Sequence, residues 1–394
     1  MKLKTLDDVN LKDKRVLVRV DINNPVEKGK VQISPRLIEH AKTIKELSRK
    51  KAKVCIIAHQ GRPGRDDFID LNQHAKLLTK VLKIKVKYID DLYGNKAITE
   101  INRLNSGEII LLKNLRTCKD ELAKVSPAIH AKSKLVTTLS KHFDIFVQDA
   151  FSILHRNQAS IVGFPKVLPS YIGRILEEEL IALTILKKVK NAVYVLGGAK
   201  PSDHIDLLKH VLKGRVRVLT TGVLGEAFLI AKGVDIGKKK KYLKDLGALA
   251  VIPDLKSLLK KHANKIETPV DFAIRKKGKR IEINLNDLPS NEYMFDIGKK
   301  TINNYKKIIE NSRAVFMKGT PGKYLEKEFL LGTKELLKAT SKAKFSFIGG
   351  GDTTTALEII KLNKKSFSYC SLSGGALLNY LAGNKLPGLE VLYK

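Results

Sequence analysis

Four arginines and one histidine in the first half of the chain could together bind a small anion. They are Arg36, His59, Arg62, Arg116 and Arg156. A guanidinium group holds phosphate or carboxylate through two parallel hydrogen bonds. Lysine is the more common basic residue in this chain, yet these positions carry arginine. The set predicts a site for a small polyanion, and the alternative is four unrelated surface arginines.

These residues follow apolar runs that we predict to be buried parallel strands. The runs are 15–20, 53–58, 109–113 and 143–148. Because ligands bind beyond the carboxyl ends of parallel strands, side chains that follow neighbouring strands are expected on one rim. Asp21 and Asn23 follow the first run and Asp149 follows the fourth, so we expect them on the same rim.

Glycine-rich turns follow the predicted strands of the second half, at 197–200, 222–225, 319–322, 349–354 and 371–376. Glycine lets backbone N–H groups approach a phosphate, and a helix that starts there favours negative charge. Lys200 could neutralise a phosphate, and Asp352 could bind Mg²⁺, which prefers oxygen ligands. Each turn alone could be a simple tight turn, and neither a Walker motif nor a GxGxxG fingerprint is present.

An anion site together with a phosphate cradle predicts phosphoryl transfer between a small acid and a nucleotide. This reaction needs positioning and charge neutralisation more than a nucleophilic side chain. It also requires the exclusion of water. We therefore expect the arginine rim and the glycine turns to face each other across two domains that close on a hinge.

The elements that must hold these residues alternate between short apolar runs and helix-period stretches. Further strands are predicted at 192–196, 216–220, 249–252, 313–318, 344–348 and 367–370. Helices are predicted at 36–52, 171–187, 332–339 and 353–362. Ser34 is the predicted N-cap of the first helix, with Pro35 in its first turn. This alternation predicts an α/β fold with parallel sheets covered on both faces.

Two prolines and a glycine between residues 163 and 169 interrupt regular structure and mark the predicted domain boundary. We expect one domain over 1–168 and a second that begins at 169 with a long bridging helix. The candidate hinges are 163–169 and 386–388.

The composition is typical of a globular, cytoplasmic protein. A chain of 394 residues with 43% hydrophobic residues suffices for two domain cores. The three cysteines form no disulfide or zinc pattern. No apolar run is long enough to span a membrane, and the N-terminal residues lack the apolar core of a secretory signal peptide. The lysine run at 238–241 is interpreted as a solvated surface, with a binding patch as the alternative.

The charge favours anionic ligands, since 74 basic against 40 acidic residues give a net charge of +34. A nucleic-acid-binding protein is therefore the alternative from another functional class. No aromatic stacking platform or recognised motif supports it. We expect only non-specific, salt-sensitive binding to nucleic acid, no membrane association and a monomer.

The chain resembles the phosphoglycerate kinase family in the order and spacing of its motifs from about residue 15 to residue 390. The motifs are RVDINNP at 19–25, AHQGRP at 58–63, LKNLR at 112–116, DAF at 149–151, HR at 155–156, LGGAK at 196–200, DIG at 296–298, GGGDT at 349–353, GGA at 374–376 and LPG at 386–388.

The resemblance implies two Rossmann-like domains, each a parallel sheet flanked by helices, joined by an interdomain helix and a hinge. The N-terminal domain, 1–168 completed by the C-terminal segment 376–394, would bind 3-phosphoglycerate or 1,3-bisphosphoglycerate. The C-terminal domain, 169–375, would bind ADP or ATP with Mg²⁺. The implied reaction is reversible phosphoryl transfer between ATP and 3-phosphoglycerate.

The same resemblance implies roles for individual residues. The glycerate would be held by Asp21, Asn23, Arg36, His59, Arg62, Arg116 and Arg156. Arg36 would also steady the transferring phosphoryl group, Lys200 would bind the nucleotide phosphates, and Gly350 and Gly351 would receive the moving phosphate. Asp352 would contact Mg²⁺. Further nucleotide contacts would come from Gly198, Gly222, Gly319, Glu326, Gly349 and Thr353.

The sequence departs from the family pattern mainly in the nucleotide half. His204 replaces a second lysine that assists the transfer in many members, and Lys318 replaces an asparagine. Leu325 stands at the position of the ribose-binding glutamate, with Glu326 one place later. Two alternatives stay open: a family member that binds its substrates without turnover, and guanine in place of adenine nucleotides.

Overall fold

The structure is a computed structural model that describes residues 3–393 and divides them into two units. The first unit contains the described residues up to Leu180 together with those from Lys385 onward. The second extends from Ile181 to Asn384. The chain therefore leaves the first unit once and returns to it near its end.

The first unit is built around a parallel sheet. Its strands are β1 (Arg15–Arg19), β2 (Val26–Glu27), β3 (Lys30–Val31), β4 (Lys53–Ile57), β5 (Val86–Ile89), β6 (Ile109–Leu112), β7 (Ile145–Gln148) and β8 (Ser170–Ile172). Six of them pair in the parallel order β5-β6-β4-β1-β7-β8, while β2 and β3 form an antiparallel hairpin. Because β4, β1 and β7 are neighbours in register, the segments that follow them leave the sheet at one edge.

Helices cover both faces of this sheet. They are α1 (Pro35–Arg49), α2 (Asn72–Leu82), α3 (Asn95–Asn102), α4 (Lys119–Leu122), α5 (Pro127–Ala131), α6 (Lys134–Leu139), α7 (Phe164–Val167) and α8 (Arg174–Lys188). Alternate residues of β1 point to opposite faces. Val18 packs in one core cluster with Ile44 of α1, and Leu17 packs in another with Ile101 of α3.

The second unit repeats the architecture. Its strands are β9 (Ala192–Leu196), β10 (Val216–Thr220), β11 (Ile266–Glu267), β12 (Asp271–Lys276), β13 (Lys279–Asn284), β14 (Met294–Ile297), β15 (Ala314–Lys318), β16 (Phe345–Gly349) and β17 (Tyr369–Ser371). Six form a parallel sheet in the order β11-β10-β9-β15-β16-β17. The other three form a small antiparallel sheet in the order β13-β12-β14.

The helices of the second unit are α9 (Ile205–Val211), α10 (Gly222–Ala231), α11 (Lys239–Asp245), α12 (Ile252–His262), α13 (Lys299–Glu310), α14 (Leu331–Ser341), α15 (Gly351–Ile359) and α16 (Gly375–Leu381). A last helix, α17 (Pro387–Glu390), belongs to the first unit. Short 3-10 turns include Leu115–Thr117, Pro201–His204 and Ala248–Val251. On one face of the sheet, Val195 and Met317 pack with Ile309 of α13 and Leu337 of α14.

The two helix-covered parallel sheets confirm the predicted α/β fold class. The predicted N-cap of α1 is also confirmed, because the Ser34 side chain accepts a hydrogen bond from the Leu37 N–H and Pro35 follows it. The strand predicted at 249–252 is wrong. That apolar run forms a 3-10 turn leading into α12, where Pro253 and Asp254 favour a helix start.

The division of the chain differs in its bounds from the expected 1–168, 169–375 and 376–394. The first break falls after Leu180, inside α8, and the return begins at Lys385. Helix α16, which the expectation places in the returning segment, belongs to the second unit and packs on α9. The assignment of substrates to the two domains stays a prediction.

Candidate active site

Asp21 and Arg36 form an ion pair at the carboxyl edge of the first unit's sheet. Asp21 follows β1 and is buried, and Arg36 lies in the first turn of α1. Arg36 Nη1 lies 2.7 Å from Asp21 Oδ2, which also accepts a hydrogen bond from the Ser152 hydroxyl. Burial alone would raise the pKa of Asp21, but the Arg36 charge and the hydrogen bond from Ser152 hold it well below its usual range. The charged carboxylate therefore fixes the Arg36 guanidinium at this edge.

Asn23 connects the segment after β1 with the loop after β4. Its backbone N–H donates to Asp21 Oδ1 at 3.2 Å, and its side-chain oxygen accepts from the Gly61 N–H at 2.8 Å. Gly61 has φ +65°, and a Cβ there would collide with the Asp67 carbonyl. This tight turn sets the direction of the loop that carries Arg62.

His59 is a neutral, buried imidazole in this arrangement. Its Nδ1 lies 3.0 Å from Arg19 Nη2, and because a guanidinium can only donate, Nδ1 accepts and the ring proton is on Nε2. Burial lowers the pKa of His59 well below its usual value, and the positive charge of Arg19 adds to this effect. His59 therefore offers a hydrogen bond rather than a second positive charge.

Among the four arginines named from the sequence, Arg116 and Arg156 lie close enough to the others for their pKa values to be shifted. Burial lowers the pKa of Arg116 to about 10, and the positive charges of Arg156, Arg19 and Arg62 add to the shift. Burial lowers the pKa of Arg156, Asp21 opposes this shift, and the positive charges of Arg62 and Arg36 add to it. Such a concentration of like charge is unfavourable in the absence of a counter-charge, so an anion at this edge would stabilise it.

A buried polar chain behind the cluster was missed by the sequence analysis. Arg19 Nε donates to Ser160 Oγ at 3.0 Å, and Ser160 donates through Oγ to Glu121 Oε1 at 2.7 Å. Arg19 and Glu121 are almost fully buried. The sequence does contain an indication of this chain, because Arg19 lies within the apolar run 15–20. A guanidinium buried there requires polar partners.

Asp149 does not present its carboxylate to this cluster, contrary to the expectation from its place after the fourth run. It is fully buried, and its Oδ1 accepts from the Ile175 N–H at 2.9 Å. His40 Nδ1 lies 2.9 Å from its Oδ2. Asp149 therefore secures the start of α8 instead of contacting a ligand.

The glycine turns of the second unit are packed against one another. They contain Gly198, Gly222, Gly319 and Gly350, and they follow β9, β10, β15 and β16. Gly319 has φ +82°, and a Cβ there would collide with the Gly197 carbonyl. The Gly319 N–H donates to Thr353 Oγ1 at 2.9 Å. Backbone groups of four chain segments thus meet beyond the carboxyl ends of the strands, where an open α/β sheet binds its ligand.

Helix α15 begins in this region with an open N-terminus. Gly350 is its N-cap with φ +93°, and a Cβ on Gly351 would meet no atom within 4 Å. The first-turn N–H groups of a helix have no intrahelical acceptors, and together with the helix dipole they favour an anion. Gly349 differs, because it lies inside β16, where a Cβ would approach Leu377 Cδ2 to 2.6 Å. Its small size is therefore needed for packing.

Three basic residues lie near these turns and differ in burial and charge. Lys200 is exposed. His204 is buried with Nε2 3.0 Å from the Gly197 carbonyl, and burial lowers its pKa to about 3, so it is neutral. Lys318, at the end of β15, is half-buried, and burial lowers its pKa, which Asp203 and Asp352 oppose.

In the sequence, Lys318 stands out only as a departure from the family pattern. Its stem lies beside the start of α15, since a Cβ on Gly350 would be 3.6 Å from Lys318 Cγ. A role for Lys318 at the site could have been inferred from its position, because it is the last residue of the predicted strand 313–318 and comes immediately before a glycine turn.

A cavity of about 410 Å³ opens beside the glycine turns, large enough for a nucleotide base and sugar. Its wall includes Gly198, Gly222, Glu226, Lys239, Tyr242, Phe272, Met294, Phe295, Asp296, Thr320, Gly322, Leu325, Glu326 and Asp352. Several of these come from the antiparallel sheet and from α11, which the sequence analysis did not predict. Lys239 belongs to the lysine run interpreted as a solvated surface, but it is buried in this wall.

Glu326 and Asp352 are the two acidic residues of the cavity that were named from the sequence as candidate ligand contacts. Glu326 pairs with Arg275 and with Lys323 at 3.2 Å. Burial alone would raise the pKa of Glu326, but hydrogen bonds from these two residues hold it below its usual value. Asp352 is exposed in the first turn of α15, and its Oδ1 accepts from the Tyr324 hydroxyl at 3.3 Å.

Within residues 3–393, no group of three or more His, Cys, Asp or Glu side chains could hold a metal ion by itself. A lone carboxylate such as Asp352 fits Mg²⁺ that arrives with nucleotide phosphates and keeps several waters. In the same described part of the chain, none of the helices has the length and apolar character needed to cross a bilayer.

Comparison with known proteins matches residues 6–384 to the family model described as phosphoglycerate kinase. Curated relatives of that name include one from Methanothermus fervidus, 41% identical, with 99% of this chain and 97% of the relative covered. Another, from Archaeoglobus fulgidus, is 39% identical and covers 99% of this chain and 96% of the relative.

Solved structures agree with these matches. The phosphoglycerate kinase of Pyrococcus horikoshii superposes with a TM-score of 0.92 at 36% identity, covering 99% of this chain and 98% of the other. The phosphoglycerate kinase of Coxiella burnetii gives a TM-score of 0.83 at 31% identity and covers 99% of each chain.

Proposed function

The chain belongs to the phosphoglycerate kinase family, and we propose that its arginine cluster and glycine-lined cavity bind the two substrates of that reaction. It is a phosphotransferase with a carboxyl group as acceptor. The reaction is reversible phosphoryl transfer between ATP and 3-phosphoglycerate, giving ADP and 1,3-bisphosphoglycerate. The observation that carries the site assignment is that Arg36, Arg62, Arg116 and Arg156 belong to segments that follow the adjacent parallel strands β1, β4, β6 and β7, where an anionic ligand would offset their like charges.

The arginine cluster suits 3-phosphoglycerate because that molecule carries a phosphate and a carboxylate. Guanidinium groups can hold both bidentately, and neutral His59 can donate from Nε2 to a hydroxyl or carboxylate oxygen. Asp21 and Asn23 offer hydrogen-bonding groups to the substrate and keep Arg36 and the Arg62 loop in place. Arg36 is the residue that we assign to the transferring phosphoryl group.

The glycine turns suit the nucleotide. Gly198 and Gly222 line the cavity that would take the base and ribose, with Gly319 in the turn packed against Gly198, while Glu326 is the acidic candidate for the ribose hydroxyls. Phosphates would approach the N-terminus of α15 at Gly350 and Gly351, with Gly349 and Thr353 supporting that turn. Lys200 would contact the phosphates from the exposed side.

Asp352 is the residue that would hold Mg²⁺, because its carboxylate is exposed and lies in the first turn of α15. When bound with the nucleotide, Mg²⁺ neutralises phosphate charge. The Tyr324 hydroxyl orients the same carboxylate.

The chain's own contribution to the transfer is positioning and charge stabilisation. Arg36 would steady the transferring phosphoryl group, Lys200 would bind the nucleotide phosphates, and the first-turn N–H groups of α15 would donate hydrogen bonds that stabilise the negative charge on the phosphate oxygens. His204 is neutral, so Lys318 is the residue that we propose supplies the further positive charge at this helix start. No nucleophilic side chain is required, since the substrate carboxylate attacks the γ-phosphorus directly.

We further propose a monomeric, cytoplasmic enzyme that binds nucleic acid only through its general positive charge. A coupled assay with ATP, Mg²⁺ and 3-phosphoglycerate tests the function. We expect ATP-dependent turnover that requires 3-phosphoglycerate and Mg²⁺. Folded protein that binds nucleotide but gives no turnover above the blank would favour the non-catalytic alternative.

A further inference from the structure

Arg19 is a fully buried guanidinium in the first unit, and all three of its nitrogens donate hydrogen bonds. It is the last residue of β1 and is 0% exposed. Its Nε donates to Ser160 Oγ at 3.0 Å, and its Nη1 donates to the Val20 carbonyl. Its Nη2 donates to His59 Nδ1 at 3.0 Å. Because a buried guanidinium depends on the protein for its partners, these bonds fix the position of Arg19.

A buried carboxylate lies behind Arg19 and compensates its charge. Glu121 is 1% exposed. Its Oε1 accepts from the Ser160 hydroxyl at 2.7 Å, and its Oε2 accepts from the Ser160 N–H at 2.8 Å. Burial lowers the pKa of Arg19 to about 10, with Glu121 and Asp21 opposing the shift. Arg19 is therefore charged at neutral pH and acts only as a donor.

His59 keeps one ring nitrogen for a ligand. Its Nδ1 is occupied by Arg19, so the proton of the neutral ring is on Nε2. Within residues 3–393, Nε2 makes no hydrogen bond, and it is not sealed from solvent. Charged groups face the ring from three neighbouring segments of the sheet edge, and they are Arg19, Asp21, Arg116 and Arg156.

The bond from Arg19 also determines the charge of His59. Protonation of Nδ1 would set two donors against each other and break this bond. Burial lowers the pKa of His59 well below its usual value, the charge of Arg19 adds to the shift, and Asp21 opposes it. The ring therefore stays neutral over the pH range in which an ordinary histidine, with a pKa of about 6.5, takes up a proton.

We propose that Arg19 is a positioning residue for 3-phosphoglycerate, because its hydrogen bond to His59 Nδ1 fixes the ring as a neutral Nε2–H donor for the substrate. Without this bond, the ring could adopt the other neutral tautomer, which has no donor at Nε2, or take up a proton and add a positive charge. A residue that is itself buried thus sets what His59 offers to the substrate. The inference rests on the proposed substrate site at the arginine cluster.

The first test uses the unaltered full chain, with its histidine rings labelled with ¹⁵N for NMR. The His59 signals are identified by their absence from His59→Gln. We expect the Nε2–H tautomer and constant ring shifts between about pH 5.5 and pH 8. A ring that titrates in this range, or that carries its proton on Nδ1, would overturn the inference. This test does not depend on the folding of any Arg19 variant.

The second test is the affinity of Arg19→Met for 3-phosphoglycerate, measured calorimetrically at pH 8 and pH 5.5. The ratio of its Kd to that of the unaltered chain isolates the protein, since the ligand's phosphate titrates equally against both. We expect a ratio of about ten at pH 8, because a charge and a fixed donor are lost. At pH 5.5 the ratio should fall to about three or less, because the released His59 takes up a proton and restores the charge. A ratio that does not change with pH would overturn the inference.

Val16→Ala is the control for a merely structural effect. It removes buried volume from the same strand, three residues before Arg19, so it should lower the thermal stability. Its Kd ratio should be the same at both pH values. If that ratio fell at low pH as in Arg19→Met, the effect would follow from lost stability and the inference would be overturned.

Turnover with ATP and 3-phosphoglycerate is measured on the same samples. Normal turnover of the unaltered chain together with a titrating His59 would overturn the role of Arg19 and leave the proposed function standing. Absence of both 3-phosphoglycerate binding and turnover in the folded, unaltered chain would overturn the proposed function and this inference with it.

Discussion

Arg36 is the side chain on which the proposed chemistry depends most directly. In Arg36→Ala we expect kcat to fall by about a hundredfold or more, because a preorganised donor to the phosphoryl group is lost. The affinity for ADP with Mg²⁺ should stay within about twofold, since the proposed nucleotide site lies in the other unit. Steady-state kinetics and calorimetry measure the two effects.

Arg36→Lys separates charge from geometry in the same experiment. It keeps the positive charge beside Asp21 but lacks the planar fork, so an intermediate loss of kcat is expected. If nucleotide affinity collapsed in Arg36→Ala while kcat changed little, the assignment of the two substrates to the two units would be wrong.

Lys318 provides a second test, on a residue where the sequence departs from the family pattern. Lys318→Met should lower kcat by about tenfold to a hundredfold, because the neutral His204 cannot replace its positive charge at the start of α15. Lys318→Arg should recover part of the loss. Lys342→Met removes an exposed charge from the same unit and should leave kcat unchanged. Equal rates for all three variants would show that Lys318 has no part in the transfer.

The placement of individual candidate residues could be predicted where they follow buried strands directly. Asp21, Arg62 and Arg116 are close in space because β1, β4 and β6 are parallel neighbours or next neighbours, and strand patterning is visible in the sequence. Glu226 and Lys239 could not be predicted. They meet through the packing of α10 on α11 and β14, and the sequence shows nothing that specifies this pairing.

Among the secondary-structure elements, α8 depends on Arg174 at its first position. Arg174 Nη2 lies 2.8 Å from Glu46 Oε1, Nε lies 2.8 Å from Glu46 Oε2, and Nη1 lies 2.7 Å from Glu177 Oε2. It also pairs with Asp7. We expect Arg174→Ala to reduce the free energy of unfolding by about 1–3 kcal/mol, because a bidentate pair holding α8 on α1 is lost. Urea unfolding measures this, with the exposed Arg49→Ala as a control that should change it by less than about 0.5 kcal/mol.

The ion pairs of Arg174 with Glu46 and Asp7 make the free energy of unfolding depend on pH in a predictable direction. The hydrogen bond from Arg174 holds the pKa of Glu46 below its usual 4.5 and the pKa of Asp7 below its usual 3.8. Carboxylates with depressed pKa values stabilise the fold above their unfolded values and lose that contribution as the pH falls through the folded values. The stability difference between the unaltered chain and Arg174→Ala should therefore shrink from pH 6 towards pH 3. A difference that is constant or grows over this range would contradict the role of these pairs.

Elements with a strong apolar pattern were predictable, and the others were not. The strand at 192–196 matches β9 in both bounds, because its five residues are buried on both faces. The run at 249–252 has the same local character, but it lies at the start of α12, and four apolar residues do not distinguish a strand from a buried helix start. Strands β12 and β13 were missed because charged residues such as Arg275 and Lys279 interrupt their pattern.

At the scale of the whole molecule, the net charge of +34 must affect association with every anionic ligand. Many lysines lie on the surface, and the acidic residues are too few to neutralise them. Both proposed substrates are polyanions, so the long-range field should raise their rates of association. Closure of the two domains on bound substrates stays a prediction.

Salt separates this steering effect from nucleic-acid recognition. The Debye length falls from about 10 Å at 0.1 M to about 3 Å at 1 M, so kcat/KM for 3-phosphoglycerate should fall by about tenfold over this range while kcat changes little. Binding of RNA or duplex DNA should weaken more steeply, because each neutralised phosphate releases counterions and adds to the salt dependence. An inert polyanion of similar charge density should displace the nucleic acid equally well, which serves as the control. Nucleic-acid binding that persists above 0.5 M salt and is unaffected by 3-phosphoglycerate would instead favour a specific nucleic-acid-binding surface. At that salt concentration the long-range charge is screened, so only short-range contacts could support the binding.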